Sequence, residues 1–294
     1  MLTLLSGVCL LAAGTAIAQD RSKAGIPEDG IAALPWTEPA TRWQKASDIL
    51  GKKVECTNTV PCGTVNDLIV DIPSGRVIFM IIHVDGKYAV IPSAALTLPS
   101  HAEKYMLIAT KERTKTFCYD KDRLPDFSDR AWADQVYNHY QVKPYWSYSK
   151  SAKEEQKENP AWCRYTEHWH KATDLLGTGI KNEQDEDLGR LDEVIIDPDR
   201  NRSIYGILSH GGVLGIGDKL FAVPWSSLTT MSSDHKFFIL NVDKDRLKNA
   251  TGFDKKTWPN FTDDKWAIEI HSYYSRKPYW QDYGEYNKDN KRNP

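Results

Sequence analysis

The sequence predicts a mainly β protein with short helices (α+β), organised as two small β-barrels in tandem. Residues 189–228 contain three apolar runs, LDEVIID, SIYGILSH and KLFAVPW, each ended by turn residues. That pattern is typical of a meander of antiparallel strands. A second copy of the pattern occurs earlier in the chain, which predicts that one structural unit is used twice.

The composition limits the class of protein and its partners. With 294 residues, of which 40% are hydrophobic and 27% charged, the chain is long enough for two modest domains. The formal net charge is -2, and no basic stripe of the density needed to neutralise phosphates is present. Nucleic acid is therefore not an expected partner.

The first residues indicate export. Residues 1–18 carry no charge and close on the small-x-small triplet AIA, which predicts a secretory signal cleaved before Gln19. An uncleaved anchor is the alternative. No other apolar run approaches the roughly 20 residues that a membrane helix needs. We therefore expect a periplasmic or extracellular mature chain without a transmembrane segment, beginning with a flexible arm over residues 19–40.

Four cysteines follow the signal, and in an oxidising compartment an even number is typical of disulfides. Cys56 and Cys62 flank the turn-like segment TNTVP, which favours pairing Cys56 with Cys62 and Cys118 with Cys163. A zinc site is the alternative, but no CxxC motif or nearby histidine pair supports it.

The repeat starts at two tryptophans. WQKASDILG begins at Trp43 and WHKATDLLG begins at Trp169, so the copies are offset by 126 residues. The offset is 132 at Pro92 and Pro224, and between these points the second copy has the longer segment HGGVLGIGDK where the first has HVDGK. A longer loop between two strands explains this change without a change of fold.

Each copy predicts the same elements in order. A turn at residues 46–50 leads to a strand near Val54, the three-strand meander, and a last strand at residues 105–110 or 237–242. About five short strands leave unpaired edges unless they close into a barrel. A short amphipathic helix follows, with Asp129 or Asp263 as its N-cap, and then an aromatic KPYW tail.

The predicted organisation is repeat 1 over residues 41–146, a charged linker over 147–166, repeat 2 over 167–280 and a polar tail over 281–294. With these motifs the chain resembles a tandem of PRC-barrel domains, as in exported bacterial members of that family. The segments that carry the resemblance in the second copy are ATDLLG (172–177), LGRLD (188–192), IID (195–197), GGVLGIGD (211–218) and AVPW (222–225).

The resemblance implies a β-barrel used for assembly and protein contact, with no fixed enzymatic activity. The first copy departs from the family pattern, because it lacks the glycine loop and has Pro92-Ser93 where the second has Pro-Trp. We therefore take the glycine loop as the candidate contact loop. Its residues are Gly211, Gly212, Leu214, Gly215, Ile216, Gly217 and Asp218.

Other motifs have simpler structural interpretations. The glycine loop leads into a strand, whereas a phosphate-binding loop opens a helix, so we interpret its glycines as hairpin residues. The acidic segment 182–187 lacks EF-hand spacing and is predicted to be a solvated turn. His168 and His170 could share a metal ion, but no third ligand is near in sequence. No cofactor is expected.

The function predicted from the sequence is a non-enzymatic protein-binding or assembly module of the bacterial cell envelope. Its partner would be an unidentified envelope protein or a second copy. An alternative is a carbohydrate or cell-wall binder that uses exposed Trp and Tyr rings, although Trp132, Trp146, Trp266 and Trp280 recur in both copies, which favours packing. A metal-dependent enzyme with an interdomain site is a further alternative, although no motif assembles a catalytic base, nucleophile and oxyanion donor.

Overall fold

The computed structural model of the protein describes residues 42–147, 168–211, 219–228 and 231–281. Within these ranges the protein is mainly β with a few short helices, as predicted, and fourteen strands are joined in one curled sheet. None of the helices in these ranges is long and apolar enough to cross a membrane.

The first repeat contains eight strands and three α-helices in its described part. The strands are β1 (Gln44–Lys45), β2 (Lys53–Glu55), β3 (Pro61–Asp71), β4 (Arg76–Val84), β5 (Lys87–Pro92), β6 (Leu96–Thr97), β7 (Lys104–Leu107) and β8 (Cys118–Tyr119). The helices are α1 (Ala46–Ile49), α2 (Lys111–Thr114) and α3 (Arg130–Tyr140).

The second repeat has the same order of main elements. Its strands in the described ranges are β9 (Trp169–Lys171), β10 (Gly179–Lys181), β11 (Asp187–Asp197), β12 (Arg202–His210), β13 (Lys219–Pro224) and β14 (Phe237–Ile239). Its helices are α4 (Ala172–Leu175), α5 (Lys244–Lys248) and α6 (Asp264–Tyr273).

The predicted meander is confirmed in both repeats. Strand β11 pairs antiparallel with β12, which pairs antiparallel with β13, and the equivalent set is β3, β4 and β5. Each repeat also contains one parallel pair. Strand β7 runs parallel to β2 in the first repeat, and β14 runs parallel to β10 in the second. Each repeat is therefore a curled half-barrel.

Each half-barrel receives a strand from the other repeat. Strand β1 pairs with β11 through Gln44 and Ile196, and β9 pairs with β3 through His170 and Val70. We call β1 with α1 hook 1 and β9 with α4 hook 2. The two repeats also meet where β4 touches β12. The sheet thus runs across both repeats, a feature that the sequence did not predict; the domain bounds stay predictions.

The two longer helices begin at the predicted caps. The carboxylate of Asp129 accepts a hydrogen bond from the backbone N–H of Trp132, and Asp263 accepts from Lys265 and Trp266. These bonds satisfy amides that a helix start leaves without a partner. The buried faces of both helices pack on the core, through Ala133, Val136, Tyr137 and Tyr140 of α3 and Ala267, Ile270 and His271 of α6.

Two glycines at equivalent places allow close strand contact. Gly63 has φ 126° and Gly189 has φ 128°, values that L side chains rarely adopt. A Cβ atom would lie 2.1 Å from the carbonyl oxygen of His83 at the first position, and 2.1 Å from that of Ser209 at the second. Backbone oxygens cannot move away without breaking the sheet.

We predict that Gly189→Ala lowers the free energy of unfolding by about 3 kcal/mol, because backbone strain adds to the clash with Ser209. Urea unfolding followed by tryptophan fluorescence measures the change. Gly179→Ala is the matched control, since its Cβ would lie 3.8 Å from the Cβ of Phe237, an ordinary contact. Equal losses for the two variants would contradict the strained role of Gly189.

Candidate functional site

The predicted contact loop lies almost entirely outside the described residues. Gly211 is the described member; it follows β12 with φ 86°, and a Cβ atom there would meet nothing within 4 Å. The others, Gly212, Leu214, Gly215, Ile216, Gly217 and Asp218, fall in the undescribed range 212–218. A contact role for this loop therefore stays a prediction.

One of the two predicted disulfides is formed. Cys56 is bonded to Cys62 across the turn between β2 and β3, with Cα atoms 5.6 Å apart, and both residues are buried. Cys118 forms no disulfide with another described cysteine; its half-buried thiol donates to the carbonyl of Thr114, and burial raises its pKa. Its predicted partner Cys163 lies outside the described residues, so that pairing stays a prediction.

Three histidines come together near hook 2. The ring of His235 lies 6.2 Å from that of His168 and 5.2 Å from that of His170, measured between centroids. Sequence reasoning missed His235 because it is far from the other two along the chain. Across the described part of the chain, however, no three His, Cys, Asp or Glu side chains are grouped so that they could hold a metal ion.

The acidic segment that could have offered calcium ligands forms a turn closed by its own side chains. The amide oxygen of Asn182 accepts from the backbone N–H groups of Gln184 and Glu186, and its nitrogen donates to the Glu186 carboxylate. Lys181 forms an ion pair with Asp185 at 2.7 Å. These contacts account for the polar residues of the turn.

The recurring tryptophans pack against the protein. Trp280 is buried, and Trp132, Trp146 and Trp266 are half-buried against the core. Trp132 lies 5.4 Å from Phe79, and Trp266 lies 5.4 Å from Tyr205, which is the equivalent pair in the second repeat. These contacts give the four recurring rings a packing role.

Both hooks are fixed by aromatic contacts with the other repeat. Trp43, next to hook 1, lies edge-on to Phe261 at 4.7 Å. Trp169 of hook 2 stacks on Trp146 at 5.4 Å and lies 6.1 Å from Phe79. Such pairs add stability beyond the area that they bury.

A buried carboxylate holds each hook in place. In hook 2, the hydroxyl of Thr173 donates to Asp67 at 2.5 Å and its backbone N–H donates at 3.3 Å. In hook 1, the hydroxyl and N–H of Ser47 donate to Glu193 in the same way. Burial raises the pKa of Asp67, while the bond from Thr173 lowers it.

Backbone and side-chain hydrogen bonds connect the region at the start of β12 to the first repeat. The N–H of Val77 donates to the carbonyl of Asn201 at 2.8 Å, and the N–H of Ser203 donates to that of Gly75 at 2.7 Å. The indole of Trp225 donates to the carbonyl of Ile72 at 2.9 Å. Through these contacts, buried polar groups of each repeat find their hydrogen-bond partners in the other repeat, as buried groups in a protein core do.

Comparison with known families agrees with this geometry. A model of the PRC-barrel domain family matches residues 44–113 and 169–247, just over half of the chain. The protein belongs to the PRC-barrel family. Each match begins at the hook of one PRC-barrel repeat, so the family motif includes the strand that is exchanged here. No curated protein gives a significant match.

Two titratable groups with raised pKa values, one in each PRC-barrel repeat, occupy packed positions. Burial raises the pKa of Tyr137, whose hydroxyl donates to the carbonyl of Ile78 at 3.1 Å. Burial also raises the pKa of Asp197, and its ion pair with Arg200 opposes that rise. These groups support the fold, and neither lies in a cleft where a substrate would meet it.

His271 on α6 of the second PRC-barrel repeat is fully buried. Its Nδ1 donates to the carbonyl of Ala267 at 2.8 Å, and its Nε2 has no hydrogen-bond partner among the described residues. Burial lowers its pKa to about 4, and the bond to Ala267 opposes the shift. The folded protein therefore holds this ring in its neutral form at pH 7.

We predict that replacing Thr173 by Val lowers the free energy of unfolding by about 1–2 kcal/mol, because the buried Asp67 carboxylate loses a donor. Urea unfolding measures this loss. Thr178→Val is the matched control, since that hydroxyl donates only to the exposed carbonyl of Asp174. If both variants lose the same stability, the Asp67 contact does not hold hook 2.

We predict that His271 weakens the fold in mild acid. Between about pH 6.5 and pH 4 the unfolded chain binds a proton that the folded chain rejects, so stability falls as pH falls, by up to about 3 kcal/mol. Urea midpoints at pH 7 and pH 4.5 should differ less in His271→Phe than in the wild type. The exposed His83→Gln is the control, and an unchanged difference in His271→Phe contradicts the assignment.

Proposed function

We propose that this protein is a non-enzymatic binding or assembly module of the bacterial cell envelope, built from two PRC-barrel repeats. The observation that carries the proposal is the strand exchange, in which β11 accepts β1 and β3 accepts β9 from the other repeat. A half-barrel that is completed by a strand from elsewhere is suited to joining polypeptides, since strand addition supplies backbone hydrogen bonds. The partner is another envelope protein or a second copy of this chain.

Two features support an exported location. The uncharged apolar residues 1–18 end in a small-x-small triplet, which is the pattern of a cleaved secretory signal. The disulfide between Cys56 and Cys62 belongs to an oxidising compartment. The proposed mature protein is periplasmic or extracellular and starts at Gln19.

A tagged full-length chain, cross-linked in intact native cells and purified from fractionated envelope, tests this proposal. We expect an intact mass that corresponds to a start at Gln19, and one or more envelope proteins or a cross-linked second copy enriched over a tagged exported control. Light scattering separates self-association from a heterologous partner. A cytoplasmic, uncleaved chain, or a monomer with nothing enriched, would contradict it.

A further inference from the structure

A cavity of about 320 Å³ opens on the surface of the second repeat. It lies between β13, the segment after α5, and α6, and its walls are mostly apolar. The residues that line it are Ala222, Ala250, Thr251, Glu269, Ile270, Ser272, Tyr273 and Tyr274. Cavities of this size are at the lower end of the range for ligand sites.

The frame around the cavity is equivalent in the two repeats. Phe253 bridges to Leu220 of β13, as Tyr119 pairs with Tyr88 of β5. The side chain of Arg246 donates to the carbonyl of Tyr273 on α6. In the first repeat Arg113 donates to the carbonyl of His139 on α3. The second repeat has one more residue between these two contacts, so the positions beside the cavity are matched by counting back from the nearer pair, Tyr119 and Phe253.

In the first repeat, an aromatic ring occupies the matched place. Phe117 stands at the position of Thr251, and its ring packs against the core 5.2 Å from the ring of His139. Tyr273 stands at the position of His139. The second repeat thus keeps the aromatic wall but lacks the ring that packs against it.

The neighbouring replacements also remove volume. Val90 and Cys118 of the first repeat correspond to Ala222 and Gly252 of the second. A Cβ atom at Gly252 would lie 2.4 Å from Cε of Lys219 and 2.9 Å from the carbonyl oxygen of Leu220, so no side chain fits there without a shift. Of these smaller residues, Ala222 and Thr251 line the cavity and leave space for one ring.

Two consecutive residues of α6 are exposed, and the second of them lines the cavity. Ile268 on α6 is 47% exposed, one of two large hydrophobic residues so exposed in the described ranges. Glu269, next to it, is the charged residue among those that line the cavity. An occupant that continues past the cavity would meet an apolar side chain and a negative charge.

We propose that this cavity binds an aromatic side chain of the partner protein, flanked by a basic residue, in the place that Phe117 fills within the first repeat. This inference rests on the proposed binding function and names its contact site. An aromatic anchor in a pocket, surrounded by a less buried rim, is the usual form of an interface hot spot. The occupant's ring would pack against Tyr273, and its basic neighbour would pair with Glu269.

Three capped tripeptides test the site on the full-length protein, with backbone amide NMR shifts as the readout. The peptides are Lys-Phe-Lys, Lys-Ala-Lys and Glu-Phe-Glu. We expect Lys-Phe-Lys to shift the amides of Ala222, Ala250 and Thr251 with a dissociation constant on the order of 1 mM, and the other two peptides to bind at least tenfold more weakly. Equal binding of Lys-Ala-Lys would overturn the proposal.

Variants that copy the first repeat provide the controls. Thr251→Phe introduces the ring that Phe117 supplies, so it should abolish binding and leave the rest of the spectrum unchanged. Ala222→Val, which introduces the first-repeat residue, is the second variant should Thr251→Phe fail to fold, and it should weaken binding at least fivefold. Glu269→Gln should remove the preference for Lys-Phe-Lys over Glu-Phe-Glu. Wild-type affinity in either filled variant would overturn the proposal.

The two proposals can fail separately. If the cross-linked partner is captured equally well by wild type and Thr251→Phe, the cavity inference is wrong and the binding function stands. If Lys-Phe-Lys binds as expected but no partner is enriched, the binding function in the envelope is wrong and the cavity stands. If the peptide binds only after residues 19–41 or 282–294 are deleted, the chain fills its own cavity and the inference is overturned.

Discussion

The exchange of hooks between the repeats is the constraint on which the rest of the structure depends. Strands β3 and β11 are long and buried over most of their length, and each would end in an unpaired edge without the hook of the other repeat. The buried acids Asp67 and Glu193 also need the hydroxyl and amide donors of the hooks, because a buried carboxylate is costly unless it is hydrogen-bonded. In the structure each repeat receives these partners from the other repeat.

This constraint explains why the two copies have kept some features and lost others. The glycines at the close strand contacts and the acid that holds the hook occur in both, since each serves the shared sheet. Away from the junction, the copies differ in how their loops and one part of the core are built. The first is closed by the disulfide between Cys56 and Cys62 and filled by Phe117, whereas the second has the longer glycine loop and an open cavity beside α6.

The aromatic residues follow the same division. Phe79 and Tyr205 hold equivalent places beneath α3 and α6, and each contacts rings from the helix of its own repeat. These clusters cover the barrel ends and bind the hooks. The tryptophans that recur in both repeats therefore pack within the fold.

The sequence by itself determined the elements, because their causes are local. The alternation of the apolar runs, the turn residues after them, and the caps Asp129 and Asp263 each act within a few residues, and the duplication and the resemblance indicated the family. The pairing of Cys56 with Cys62 was predictable for the same reason, since the two cysteines lie only six positions apart.

Only the tertiary structure decided how the repeats meet. An acid that interrupts an apolar strand at the same place in both copies, Asp67 and Glu193, was a visible signal of a shared contact. Its donors, however, lie 106 and 146 residues away along the chain, at Thr173 and Ser47. Local patterns carry no information on which distant strand completes an edge, because the backbone hydrogen bonds are alike for every candidate strand. The exchange, the gathering of His235 with His168 and His170, and the cavity at Thr251 all come from that long-range choice.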